Sequence, residues 1–211
     1  MSITPEQLDA LRQQVRTVLS GNRLTHTLSV EEEAAGMAGL LLPEKENAVR
    51  AAALLHDITK QMPLPQQEAL CRSAGIVLTA EDLAAPKTLH ARSAPARILA
   101  EFPTFATPEI LDAVRLHTTG GAGMSVFSKI IFLADYTEPL RPYPACRETR
   151  ASFWWEMNAA ESAAARLQVL DRTVLAVLAA TMVHLLQSGQ TVALDSLRAY
   201  NQLLLSLSKQ A

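Results

Sequence analysis

The stretch Ala51-Ala52-Ala53-Leu54-Leu55-His56-Asp57-Ile58-Thr59-Lys60 decides the fold and site predictions. An apolar helical run ends here on two adjacent side chains, His56 and Asp57, that commonly bind metals. A carboxylate at the end of an apolar helix needs a compensating partner, because an unpaired charge in a low dielectric is costly. Lys60 follows on the same predicted helical face. A metal ion would repel a lysine beside it. The position of Lys60 is therefore expected if an anionic group such as phosphate lies between Lys60 and the metal.

Neighbouring helix residues point about 100° apart, so His56 and Asp57 are not expected to face one ion equally well. A carboxylate has two oxygens, however. Asp57 can therefore help His56 to bind one ion and also lean toward a second.

The remaining histidines indicate where further ligands lie. The five histidines are His26, His56, His90, His117 and His184. The first four fall in separate helix-like segments, and a further apolar run, Phe132-Leu133-Ala134, ends on Asp135. Imidazoles and carboxylates together suit iron, manganese or zinc. His184 lies in an apolar helical segment, and we expect a structural role for it.

Five spaced motifs make the chain resemble the YqeK family within the HD superfamily of metal-dependent phosphohydrolases. The motifs are Arg23-x-x-His26, Leu55-His56-Asp57-Ile58-x-Lys60, Leu89-His90-Ala91, His117-Thr118-Thr119-Gly120 and Ala134-Asp135-Tyr136-x-Glu138-Pro139-x-Arg141, followed by Ala199-Tyr200-Asn201. The match spans roughly residues 5 to 205. The resemblance implies an all-α HD-domain helical bundle. It also implies a bis(5′-nucleosyl)-tetraphosphatase (symmetrical), which cuts diadenosine tetraphosphate (Ap4A) into two ADP.

The residues and the resemblance together predict the site. The predicted metal ligands are His26, His56, Asp57 and Asp135. His90 and His117 either bind a second ion or contact substrate phosphates. The predicted catalytic residues are Asp57 and Lys60, and the predicted substrate-binding residues are Arg23, Lys60, His90, His117, Thr118 and Arg141. The cofactor is expected to be one or two divalent ions, with iron the first choice and manganese or another transition metal the alternative.

The composition of the chain limits which kinds of partner we expect. The net charge of −2 provides no global basic surface, so we expect no nucleic-acid partner. A local group of cations must then bind an acidic substrate, and Arg92 joins Arg23, Lys60 and Arg141 as a candidate. The two cysteines form no Cys-x-x-Cys motif, which favours a reducing compartment. A polar N-terminus and the expected lack of a membrane-length apolar run predict a cytoplasmic protein without a membrane partner. The sequence leaves open whether the protein forms a homodimer.

The chain is predicted to form one domain over residues 1–211, with the metal-site core at about 20–140 and C-terminal helices at about 145–208. Thr4-Pro5 and Thr107-Pro108 both have the cap-plus-proline pattern of a helix start. The helix that carries His56 is expected to continue to Lys60. Residues 79–88 are predicted to be loop, and the prolines from Pro139 to Pro144 are expected to form a surface loop.

Three functions remain open from the sequence. The first is hydrolysis of Ap4A, in which water activated by the metal attacks a phosphorus while Asp57 orients or deprotonates it. The second is an HD phosphohydrolase that acts on mononucleotides or an alarmone. The third is a non-catalytic nucleotide-binding module. The presence of every ligand type counts against the third.

Overall fold

The computed structural model describes residues 3–209, which form α-helices, three short 3-10 helices and loops, with no β-strand in that range. The predicted all-α class is confirmed. In chain order the α-helices are α1 Pro5–Val18, α2 Gly21–Leu41, α3 Glu46–Leu55, α4 Leu64–Ser73, α5 Ala80–Ala84, α6 Leu89–Glu101, α7 Pro108–Leu116, α8 Val126–Thr137, α9 Pro144–Ala159, α10 Ala163–Gln187 and α11 Leu194–Ser208. The polar segment predicted to carry no signal sequence includes Met1 and Ser2, which lie outside the described residues.

Local capping explains why several helices begin where they do. The hydroxyl of Thr4 accepts a hydrogen bond from the Gln7 amide while the Gln7 side chain accepts from the Thr4 amide, a complete capping box before α1. Thr107 caps α7 in the same way through the Ile110 amide. Side chains that satisfy free amides at a helix start stabilise that start, so these two helices begin as the sequence predicts.

Helix α8 lies at the centre of the bundle. Phe127, Ile130, Ile131 and Leu133 are almost completely buried along it. Helices α2, α3, α7, α9 and α10 all pack against it. A helix that is apolar on most of its faces is buried in the core. The metal-site segments of the chain are therefore held around one rigid helix.

Two local expectations are wrong. Residues 79–88 are not all loop, because Thr79 and Asp82 form a capping box that starts α5, and a 3-10 helix follows at Pro86–Thr88. Helix α3 ends at Leu55, and the chain continues to Lys60 in tight turns with hydrogen bonds of the i to i−3 type. The proline-rich segment forms a surface loop as expected, except that Pro144 is the first residue of α9, a position where proline needs no amide donor.

Helix α10 corrects another expectation. Its 25 residues and the mean hydropathy of 1.7 in its most apolar window meet the length and composition of a membrane-spanning helix. Of that window, 28% is buried inside the fold, where α10 contacts α8, α9 and α11. Core helices of soluble proteins pass the same test, so this one helix among the described residues is only weak support for a membrane contact.

Candidate metal centre

Five segments bring their predicted site residues to one place. His26 lies in the second turn of α2, and His56 and Asp57 lie in the turns directly after α3. The other three side chains are His90 at the start of α6, His117 just after α7, and Asp135 near the end of α8. These six residues are called the His/Asp cluster below. All are buried except Asp135, which is partly buried.

The atoms of the His/Asp cluster face one another at ligand-like separations. Three triplets each place one donor atom per residue within 4.8 Å of the others, namely His26, His56 and Asp57; His56, His117 and Asp135; and Asp57, His90 and His117. His26 Nε2 lies 3.0 Å from Asp135 Oδ1, and His90 Nε2 lies 3.1 Å from Asp57 Oδ1. The arrangement could hold a metal ion.

Asp57 lies between two halves of the cluster. Its Oδ2 is 3.3 Å from His56 Nε2 and 3.8 Å from His26 Nε2. Its Oδ1 is instead 3.1 Å from His90 Nε2 and 3.7 Å from His117 Nε2. The turn after α3, rather than a continuing helix, aims this carboxylate, so the 100° spacing of helical neighbours does not limit it. Each oxygen of Asp57 therefore belongs to a different set of imidazoles.

In three histidines of the cluster, Nδ1 lies beside a polar group of the surrounding protein. His56 Nδ1 and His117 Nδ1 each lie 2.6 Å from a backbone carbonyl, of Ala53 and Val114 respectively. A carbonyl oxygen only accepts, so both Nδ1 atoms donate and both Nε2 atoms are free to bind a metal. His26 Nδ1 lies 3.1 Å from a carboxylate oxygen of Glu138.

Glu138 is a site residue that the sequence reasoning did not select. It is buried, and its second oxygen accepts a 2.7 Å hydrogen bond from the Leu140 amide. One carboxylate thus orients a metal-ligand candidate and also fixes the turn after α8. Its place in the Ala134-Asp135-Tyr136-x-Glu138 motif was the only signal in the sequence.

A second observation, which does not depend on the residue types, indicates that the cluster suits a cation. His26 Nε2, His56 Nε2 and Asp57 Oδ1 are buried and have no hydrogen-bond partner. Buried polar atoms without partners each cost about 1–3 kcal/mol, and most folded proteins avoid them. Cations bound at the two halves of the cluster would accept these lone pairs and satisfy all three atoms.

The protonation states also suit a metal. Burial would raise the pKa of Asp57, but the close approach of His56, His117 and His90 holds it well below its usual range. Burial acts the same way on Asp135, but the contact with His26 and the nearby His56 and Arg141 together outweigh it and lower that pKa too. Burial lowers the pKa of His90 to about 4. At neutral pH the cluster therefore offers carboxylates and a neutral imidazole at His90.

Three of the four predicted cations surround the cluster. Arg23 forms an ion pair with Asp57. Arg141 donates to the carboxylate of Asp135 at 2.6 Å. Lys60 Nζ lies 3.1 Å from His90 Nδ1, and burial lowers the pKa of this lysine.

The remaining two candidates differ in position. Thr118 Oγ1 lies 3.0 Å from His117 Nε2 and 3.2 Å from His90 Nε2. Its hydroxyl therefore joins the half of the cluster that faces Asp57 Oδ1. Arg92 is not part of the cluster, because it is directed toward Asp82 at 3.5 Å and lines a separate cavity between α5, α6 and α11.

Two cavities open from the His/Asp cluster. One has a volume of about 550 Å³ and includes His117 and Asp135 in its wall. The other, of about 710 Å³, includes His26. Both volumes are within the range of small-molecule sites. A ligand can therefore reach the cluster from solvent.

Comparisons with known proteins agree on one family. The profile of the HD domain family matches residues 23–140. A symmetrical bis(5′-nucleosyl)-tetraphosphatase of Halalkalibacterium halodurans is 32% identical over 195 residues, covering 92% of this chain and 95% of that protein. The protein of the same description from Bacillus subtilis is 29% identical, with coverages of 90% and 93%.

A solved structure gives the same result for the fold. A crystal structure from Clostridium acetobutylicum, described as a predicted HD superfamily hydrolase involved in NAD metabolism, superposes with a TM-score of 0.79. It is 26% identical, and the match covers 93% of this chain and 96% of that one.

Proposed function

The chain belongs to the HD domain family, as its sequence motifs predict, and from this premise we propose that it is a bis(5′-nucleosyl)-tetraphosphatase (symmetrical). The reaction is hydrolysis of Ap4A to two ADP. The relatives that carry this description match the chain over about nine tenths of its length. The observation that carries the proposal is the His/Asp cluster, with its unpartnered buried atoms, at the junction of two open cavities.

We propose that His26, His56, Asp57 and Asp135 hold a divalent metal, with iron as the first choice and manganese as the alternative. Asp57, His90 and His117 form a second group that either holds another ion or contacts substrate phosphates. When bound, such a metal lowers the pKa of a coordinated water and stabilises charge on phosphoryl oxygens. The two oxygens of Asp57 face different sets of imidazoles, which supports the two-ion alternative. The number of metal ions bound per chain decides between one ion and two.

The protein's own groups supply the rest of the chemistry. We propose that Asp57 orients or deprotonates the attacking water, and this buried carboxylate is ionised at neutral pH as either role requires. Arg23, Lys60 and Arg141 would bind phosphoryl oxygens, and the Thr118 hydroxyl would donate to one of them. Phosphoryl transfer depends mainly on positioning and on stabilisation of charge. Cations on several sides of the cluster meet both requirements.

Product identification tests the proposal. Purified protein loaded with iron or with manganese is incubated with Ap4A, and the nucleotides are separated by anion-exchange chromatography. ADP as the sole nucleotide product supports symmetrical cleavage, whereas equal amounts of ATP and AMP would contradict it. Parallel incubations with deoxynucleoside triphosphates and a guanosine tetraphosphate alarmone test the mononucleotide alternative. Faster turnover of either than of Ap4A would overturn the substrate assignment.

The cellular setting is also part of the proposal. We propose a small-molecule nucleotide substrate, no nucleic-acid or membrane partner, and a cytoplasmic location. The net charge of −2 and the position of Arg23, Lys60 and Arg141 beside the cluster support this. The homodimer stays a prediction that light scattering would test.

A further inference from the structure

The two cavities beside the His/Asp cluster differ in chemistry. The wall of the first cavity is mostly apolar and aromatic, and we call this cavity the apolar cavity. Its wall is formed by Phe132, Tyr136, Tyr143, Val177, Ala180 and His184, and it meets the cluster at His117 and Asp135. A ligand that fits this shape is anionic at one end and aromatic or apolar at the other. A nucleoside 5′-phosphate group has that character.

The second cavity is polar, and we call it the cationic cavity. Arg23, Lys60 and Arg141 line it together with Asn22, Thr25 and Gln61. Side chains of this type bind phosphate oxygens. Leu140, Pro142 and Tyr143 also line this cavity, but it offers less apolar surface to a nucleobase than the apolar cavity does. This cavity is suited to a polyphosphate chain.

Both cavities include Arg141 and Tyr143, so they meet beside the cluster. A phosphate chain can pass from one to the other across the side chains that face the reacting bond. The substrate has two identical nucleosides, but the protein presents a different surface to each end. This contrast carries the inference.

We infer that the enzyme holds the two halves of its substrate unequally, an inference that rests on the proposed function. One nucleoside enters the apolar cavity between α8 and α10, with its base against Tyr136 and Tyr143. The cationic cavity binds the distal phosphates and leaves the second nucleoside largely in solvent. Tyr143 is 60% exposed, so its ring has free area for a base. His184, for which the sequence suggests a structural role, is exposed on the wall of the same cavity.

Truncated substrates test this inference with the unmodified, metal-loaded protein. Adenosine 5′-tetraphosphate lacks one nucleoside of Ap4A, and its symmetrical hydrolysis gives ADP and pyrophosphate. Inorganic tetrapolyphosphate lacks both nucleosides. Loss of the first nucleoside is expected to lower kcat/KM less than tenfold. Loss of the second is expected to lower it by about a hundredfold, the upper part of the effect of one stacked base.

The contrary results are equally clear. A loss of a hundredfold or more with adenosine 5′-tetraphosphate would show that both nucleosides are held, and would overturn the inference. Tetrapolyphosphate within tenfold of adenosine 5′-tetraphosphate would show that neither is held, and would also overturn it. If Ap4A itself gave no ADP, the proposed function would fail instead.

A matched pair of variants locates the nucleoside. Ala180 is an exposed residue on the wall of the apolar cavity, so Ala180→Trp fills the cavity without disturbing the core. Leu186→Trp places the same ring at an exposed position of α10 outside that cavity. We expect Ala180→Trp to raise KM at least tenfold for both Ap4A and adenosine 5′-tetraphosphate, with unchanged metal content. Leu186→Trp should match the unmodified protein, and equal KM values for the two variants would overturn the inference.

Discussion

The hydrogen bond between His26 and Glu138 gives the sharpest prediction about the metal centre. Glu138 accepts from His26 Nδ1 at 3.1 Å and from the Leu140 amide at 2.7 Å. The variant Glu138→Gln keeps the shape of the side chain but replaces one acceptor with a donor. If the new amide oxygen faces His26, its nitrogen meets the Leu140 amide, and two donors oppose each other. If it faces Leu140, its nitrogen donates to His26 Nδ1 and moves the imidazole proton to Nε2, the atom required for the metal.

The first orientation leaves a buried donor unsatisfied, which costs about 1–3 kcal/mol, and the second puts a proton on His26 Nε2 that must be displaced before a metal can bind. When that cost falls on the metal-bound state, it corresponds to a loss of affinity of about 5- to 150-fold, at about 1.4 kcal/mol per factor of ten. Changes in groups that orient metal ligands cost about 10–100-fold in other metal sites. We therefore expect Glu138→Gln to weaken manganese binding about 10–100-fold and to lower the activity at limiting metal by a similar factor.

The assay is a titration of metal-free protein with Mn²⁺ against a competing chelator. Glu109→Gln is the control, because Glu109 is a partly exposed carboxylate in an ion pair with Lys45 at the far end of α7 from His117. The control should bind Mn²⁺ as the unmodified protein does. If Glu138→Gln and Glu109→Gln both bound Mn²⁺ within twofold of the unmodified protein, Glu138 would not position His26 for a metal.

Three further predictions concern other residues of the site. Asp57→Ala should lower kcat by about a hundredfold or more and reduce metal content, since Asp57 faces both halves of the cluster; near-normal turnover would contradict this. Lys60→Ala should raise KM for Ap4A and leave metal content unchanged, and loss of metal would mean that Lys60 supports the cluster instead. His90 gives a pH prediction for the metal-free protein, because burial lowers its pKa to about 4 from an unfolded value near 6.5. The unfolded chain takes up this proton first, so stability should fall as the pH drops through 6.5 and lose about 3 kcal/mol by pH 4. His90→Asn should remove this loss in urea unfolding, and an unchanged pH slope would refute it.

Much of the fold could be predicted from the sequence because its signals are local. The caps at Thr4 and Thr107 act within one turn, so they remain valid whatever the tertiary structure. Thr79-x-x-Asp82 carries a similar local signal, and only its short, polar surroundings hid the helix that it starts. The end of α3 was harder to predict. The apolar period continues through Ile58, and the structure ends the helix at Leu55 to place His56 and Asp57 in a turn.

The site residues were predictable to the extent that a motif marks them. Every residue of the His/Asp cluster belongs to one of the spaced motifs, and the structure places all six together. Glu138 was not selected from the sequence, and only the structure shows that its carboxylate contacts both His26 and the Leu140 amide. The apolar cavity has no sequence signal, because it depends on how α10 packs against α8. Ala180 and His184 are therefore identified only from the structure.

The most direct test of the account is an anomalous diffraction map from crystals of the iron- or manganese-loaded protein. The account predicts a peak at about 2.0–2.3 Å from His26 Nε2 and His56 Nε2, with carboxylate oxygens of Asp57 and Asp135 at similar distances. An ion bound at another place in the chain, or these four side chains with no metal among them in active crystals, would contradict it.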